Sequence, residues 1–182
     1  MDGFTAEVLK MFWGNIKYYV QRAINSCYKK GQLSLTLKKG IITCLPKGTK
    51  DRKFIKNWRP ISVLCVVYKL ASAVIAEWLK PNLEKIVSQN QNGFISGRHM
   101  SENTRLIYDI LSYTEKYKIP GLLMSVDFEK AFDSVSWDFM YATLDYFGFD
   151  EAFIKWIKLF NADISLYVLQ CGFLSKPIPV YR

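Results

Sequence analysis

Apolar residues recur at spacings of three and four along the start of the chain. Phe4, Val8, Phe12, Ile16, Tyr19, Ala23 and Cys27 fall on one face, which predicts an amphipathic helix over 2–28. Asp2 is placed to cap it, and Gly31 to end it after Lys29 and Lys30, cations that suit a helix C-terminus. The period then shortens. Gly40 to Pro46 (GIITCLP) is a β-branched run closed by proline and reads as a strand, and Trp58 to Val63 resumes extended structure because the residue before Pro60 is pushed out of the helical region. The intervening KGTKDRKFIKN has turn composition and reads as a mobile fingertip between two strands. Helical spacing returns over 65–87, with Tyr68, Ala71, Ile75, Trp78 and Leu79 on one face and Pro81 marking a break or a new first turn.

Residues 88–98 (SQNQNGFISGR) read as a loop, and Met100 to Tyr117 as another helix with Ser101 as its cap. The stretch Leu122 to Val126 is apolar and too short for a stable helix, so it reads as a buried strand that delivers Asp127 at its C-terminal end. A carboxylate so placed, followed by the carbonyl of Phe128, is a way to present oxygen ligands to a hard cation; the plainer reading of Asp127 is a helix cap. Glu129, Lys130 and Asp133 read as a solvated helix start. A helix to about Tyr146, a break at Gly148, a helix over 150–160, a strand over 164–170, a turn over 171–176 and a strand over 178–181 complete the pattern.

Composition narrows the classes. Half of the 182 residues are hydrophobic and 15% aromatic, so a folded core is expected, and no run of some 18 apolar residues could span a membrane. The N-terminus lacks the basic region of a secretory signal. Cys27, Cys44, Cys65 and Cys171 form no C-x-x-C pair and His99 stands alone, which points away from zinc and from a histidine triad and toward a reducing compartment. The net charge of +9 is concentrated: ten of the 25 Lys/Arg lie between Lys29 and Arg59, where Asp51 is the one acid, and the other fifteen are matched by fifteen acids. Such a segment, with Lys47, Lys50 and Arg52 at the hairpin, suits a polyanion such as nucleic acid; a solvated basic loop is the alternative.

Three stretches, PKGTKDRKFIKNWRPISVLCVVYKL, QNQNGFISGR and VDFEKAFDSVSW, in that order and at these separations, resemble the reverse transcriptases of non-LTR (LINE-type) retrotransposons. The resemblance runs from about Ile41 to the end of the chain. It implies an α+β fold of the right-hand polymerase type, with helices on a small antiparallel sheet: an N-terminal helical extension over 1–38, fingers over 39–121 and the first part of the palm over 122–182, incomplete at its C-terminus. By that resemblance Asp127 is the first catalytic carboxylate, Phe128 lends its backbone carbonyl to the metal, and the backbone amides of Lys130 and Ala131 approach the triphosphate. Phe132 matches the aromatic gate that excludes a 2′-hydroxyl. Arg59 matches the arginine that pairs with the incoming triphosphate, with Lys53 or Lys56 as its lysine companion. Gln91, Gly93, Phe94, Gly97 and Arg98 match a motif near the template.

The implied cofactor is Mg²⁺, with Mn²⁺ as an alternative. The implied partners are an RNA template, a DNA primer, a deoxynucleoside triphosphate and the rest of a polyprotein with its endonuclease and remaining palm and thumb, in the cytoplasm and nucleus. The glycine- and glutamine-containing palm motif and the hairpin with the other catalytic aspartates are absent, and Tyr181-Arg182 resembles the approach to the first of them, so the chain is expected to be a fragment inactive by itself. Two other readings stay open: a non-catalytic nucleic-acid-binding remnant or domesticated scaffold, and a group II intron-type maturase.

Overall fold

A computed structural model describes residues 5–128, 130–170 and 172–181. Asp2, Phe4, Glu129, Cys171 and Arg182 therefore lie outside the described residues. The chain divides into two compact units, Met1–Ile75 with Val135–Arg182, and Ala76–Ser134.

In the first unit the single helix expected over 2–28 is two: α1 (Ala6–Met11) and α2 (Trp13–Lys30). They part at Phe12, whose backbone (φ −100°, ψ 10°) leaves the helical region where the consecutive Phe12, Trp13 and Gly14 all favour the helix weakly. Thr5 occupies the N-cap position. The other end matches expectation. Gly31 is left-handed at φ 69°, its N–H donates to the Tyr28 carbonyl and that of Gln32 to the Cys27 carbonyl, the paired bonds of a Schellman cap.

The hairpin forms as read. β1 (Lys39–Pro46) pairs antiparallel with β2 (Trp58–Leu64), in register from Gly40 opposite Leu64 to Pro46 opposite Trp58. The sheet is mixed, however, because β3 (Ser165–Gln170) runs parallel to β1, with Gly40 opposite Leu166. β4 (Phe173–Leu174) and β5 (Ile178–Pro179) both pair antiparallel with β3. Antiparallel pairing of local hairpins is what sequence patterning shows; a parallel partner reached from far along the chain leaves no local sign. Gly40 lets the strands pack closely, since a Cβ there would lie 2.6 Å from Leu166 Cδ2 and 2.8 Å from Leu64 Cδ2 and those methyls would have to shift. β2 is an edge strand, where the missing N–H of Pro60 is tolerated.

The core of this unit joins α2, the first half of α3 (Val66–Ile86) and α7 (Glu151–Asn161) around Leu33, Leu37, Cys65, Ile75, Leu159 and Phe160. Tyr28 stacks on Trp156 with centroids 4.2 Å apart. Tyr68 meets Phe160 edge to face at 5.3 Å and donates its hydroxyl to the Phe160 carbonyl at 2.9 Å; burial pushes its phenol above the usual tyrosine range. Lys38 reaches Asp163 at 3.0 Å and ties the start of β1 to the turn before β3. Ser136 caps α6 (Trp137–Tyr146) by accepting from the Phe139 N–H, and Asp150 caps α7 by accepting from the Ala152 N–H. Gly148 between them is left-handed at φ 77°.

In the second unit α3 continues unbroken through Pro81, which corrects the expected break. The proline forfeits one bond on an exposed turn, a loss a long helix with a packed first half tolerates. The loop over 87–99 and α4 (Met100–Tyr117) follow as expected, with His99 rather than Ser101 at the cap position. The larger correction concerns 122–126. This run forms no regular element and pairs with no strand among the described residues, and it is exposed, Leu122 by 94%. An apolar run announces that it is suited to burial; a strand also needs a neighbour to complete its ladder, and the run itself does not name one. The short α5 (Ala131–Ser134) closes the unit, and within it Asn92 is the one buried residue among those described.

Candidate active site

The sequence motifs fall into three structures. The first is the basic hairpin tip. Residues 47–57 are braced by their own main chain: Lys47 N–H donates to the Asn57 carbonyl at 2.8 Å, Asn57 Nδ2 to the Asp51 carbonyl at 2.7 Å, and Trp58 Nε1 to the Arg52 carbonyl at 2.9 Å. Asp51, the lone acid, accepts from the Lys53 amide at 3.0 Å and so serves the turn, and Ile55–Asn57 forms a 3₁₀ turn. Lys47 spends its ammonium on the Lys56 carbonyl at 2.7 Å. Lys50, Arg52, Lys53 and Lys56 are exposed on this frame, and Arg59 is exposed on β2 opposite Leu45. A braced loop carrying four exposed cations is a surface for polyanions, because the backbone need not be ordered when one binds.

The second structure is the loop over 87–99. The guanidinium of Arg98 donates to four main-chain carbonyls: Ser88 at 2.5 Å and Gln91 at 2.8 Å through Nη1, Val87 at 3.0 Å and Glu84 at 3.2 Å through Nη2. Glu84 is in the last turn of α3 and Val87 and Ser88 directly follow it, so Arg98 caps that helix end with the matching charge. Asn92, 6% exposed, donates to Asn103 Oδ1 on α4 at 2.6 Å. Gln91 folds its amide onto the Gly93 carbonyl at 3.1 Å. Held at both sides, the loop carries Phe94 at φ 65°, a left-handed conformation that costs a bulky residue on the order of 1–3 kcal/mol. Its ring is 93% exposed.

The third is the segment from Asp127 to Phe132. Asp127 and Phe128 are exposed where the apolar run ends. Lys130 turns the chain at φ 51°, its carbonyl accepts from the Asp133 and Ser134 amides, and Ala131 opens α5. Phe132 projects from that single helical turn and meets Phe94 edge to face, centroids 6.0 Å apart and planes at 85°. No group of three His, Cys, Asp or Glu side chains gathers among the described residues. Asp127 therefore offers one oxygen-donor arm, which suits a hard cation that takes its other ligands from water and phosphate.

Sequence reasoning named Gln91, Gly93, Phe94 and Arg98 without separating their duties. Arg98 is turned inward to backbone carbonyls, Asn92 beside it was not singled out, and the Phe94–Phe132 contact was not foreseen. The amide-rich run SQNQNG was the available signal for a hydrogen-bonded loop.

Residues 45–176 match the reverse transcriptase (RNA-dependent DNA polymerase) family model, and the chain belongs to that family. Its relatives are proteins of non-LTR retrotransposons. It is 31% identical, over its whole length, to the "Transposon TX1 uncharacterized 149 kDa protein" of Xenopus laevis. It is 25% identical over 97% of its length to the retrovirus-related Pol polyprotein from the type-1 retrotransposable element R1 of Bradysia coprophila, and 25% identical over 86% to that from the type-2 element R2DM of Drosophila melanogaster. The chain spans 14%, 18% and 14% of those three proteins. The helices and small mixed sheet are those of a fingers and palm fragment, and the family uses divalent metal ions.

Proposed function

We propose that this chain supplies the fingers and the first part of the palm to an RNA-directed DNA polymerase of a LINE-like element, one that adds deoxynucleotides to a primer 3′-hydroxyl on an RNA template. The carrying observation is the family match over 45–176, which spans the basic hairpin, the 88–98 loop and Asp127 alike. Within this reading residues 1–38 form an N-terminal extension, 39–121 the fingers and 122–182 the start of the palm.

Arg59 offers a planar fork to the incoming triphosphate, with Lys53 or Lys56 beside it as a point charge. The exposed cations of the hairpin tip track the nucleic-acid backbone. Asp127 and the Phe128 carbonyl hold the cation, Mg²⁺ or Mn²⁺, which when bound neutralises charge building on the phosphates. The Lys130 and Ala131 amides face the triphosphate, and Phe132 screens the sugar at C2′. Two-metal phosphoryl transfer draws carboxylates from more than one strand, and no three such ligands gather among the described residues, so the chain in isolation is expected not to extend a primer.

In a form of the protein that includes the rest of the polymerase, Arg59→Ala should raise the KM for deoxynucleotide by roughly ten- to a hundredfold, the worth of a charged hydrogen bond. An unchanged KM would remove Arg59 from the site.

A further inference from the structure

Phe132 has little of its own to hold it. It projects from the four-residue α5, which follows an irregular run that no described strand pairs with, and it is 83% exposed. A single helical turn lacks the cooperativity to fix a side chain, and an exposed aromatic ring samples several rotamers. Yet an aromatic that discriminates by steric contact must keep one ring plane, since a displacement of an ångström changes what it excludes.

The ring that meets it belongs to Phe94. The geometry is near perpendicular, the arrangement in which the positive edge of one ring faces the negative face of the other. Phe94 in turn stands on a loop fixed at both sides, by the four-carbonyl grip of Arg98 and by the buried Asn92–Asn103 bond. The backbone at Phe94 is left-handed, a conformation that glycine or asparagine adopts far more readily. A bulky aromatic kept in that conformation and almost wholly exposed contributes nothing to a core. Its ring contact is the evident use of the position.

We propose that Phe94 is a positioning residue for sugar selection: it fixes the ring plane of Phe132, and the Arg98 clamp fixes Phe94. This rests on the reading of Phe132 as the residue that screens the 2′-hydroxyl. It assigns the loop over 88–98 a part in substrate choice as well as any part in template contact.

Two measurements test it. In the 182-residue chain, 4-fluorophenylalanine placed at position 132 reports the neighbouring ring by ¹⁹F NMR. Phe94→Asn removes the ring while suiting the left-handed backbone, so loss of fold is not the expected consequence; it should move the fluorine resonance, and Phe94→Tyr should restore it. A resonance indifferent to Phe94→Asn overturns the proposal. In a primer-extending form, Phe94→Asn should lower the preference for deoxy- over ribonucleotide by about ten- to a hundredfold, mainly through a lower KM for the ribonucleotide. Phe132→Ala should lower it at least as far, and the double variant no further than Phe132→Ala alone. If Phe132→Ala lowers the preference and Phe94→Asn does not, the positioning role is wrong. If Phe132→Ala itself leaves the preference intact, the sugar-screening reading fails while the fluorine result still decides whether the two rings meet.

Discussion

The hydroxyl of Tyr68 on α3 donates to the main-chain carbonyl of Phe160 on α7, 2.9 Å away, while their rings meet edge to face. Phe160 is in the last turn of α7, where carbonyls lack a helical partner, so the phenol both packs in the core and satisfies the helix end. Burial raises the phenol pKa above its ordinary value of 10.0. The unfolded chain then ionises first as pH rises. Stability conferred by the neutral phenol is complete below pH 10 and declines above it, toward the raised folded-state value. Thermal melts between pH 7 and 11 should show that decline, and Tyr68→Phe should reduce it while costing about 1 kcal/mol at neutral pH. An equal alkaline decline in the variant would mean another group controls it.

Arg98 should behave as a structural clamp. Arg98→Ala takes the guanidinium from the carbonyls of Glu84, Val87, Ser88 and Gln91, of which Ser88 keeps the Gln91 N–H, and should cost about 1–3 kcal/mol, visible as faster amide hydrogen exchange across 84–98. Lysine should recover little, because a point charge cannot bridge four acceptors. Unaltered exchange across that loop would contradict the clamp.

Gly40 should tolerate no side chain without repacking. The Cβ of Gly40→Ala meets the methyls of Leu64 and Leu166, flexible ends that can shift, so a cost of roughly 1–3 kcal/mol is expected in denaturant melts. A neutral substitution would mean that the Leu64 and Leu166 methyls swing aside without cost.

The basic hairpin tip should bind single-stranded RNA through counterion release. Each of Lys50, Lys53 and Lys56 that contacts phosphate adds about 0.7 to the slope of log affinity against log salt. Charge reversal at all three should weaken binding by the 182-residue chain and flatten that slope. Affinity indifferent to both salt and substitution would leave the loop as a solvated turn.

Much of this architecture was legible in the chain itself. Gly31 and Gly148 act through local rules of helix ending and turning, and each sits where its rule puts it. The β1–β2 hairpin was legible because two runs of strand composition flank a stretch of turn composition over 47–57. Leu122 to Val126 shows the limit: apolar character reports fitness for a sheet, while pairing depends on residues elsewhere. The parallel β1–β3 ladder and the Phe94–Phe132 contact are non-local in the same way. At the site the residue types were legible from motif resemblance, but the division of labour was not, because an arginine reads alike whether it faces phosphate or, as Arg98 does, backbone carbonyls.

Whether Asp127 is a metal-holding carboxylate of a reverse transcriptase is decided by primer extension on an RNA template. The comparison is between a form of the protein that carries the complete palm and its Asp127→Asn variant. Asparagine keeps the shape and removes the charge, and loss of transition-state charge stabilisation worth several kcal/mol should reduce extension by about three orders of magnitude or more, with RNA binding retained. Extension by the variant at the parent rate would remove Asp127 from the catalytic site.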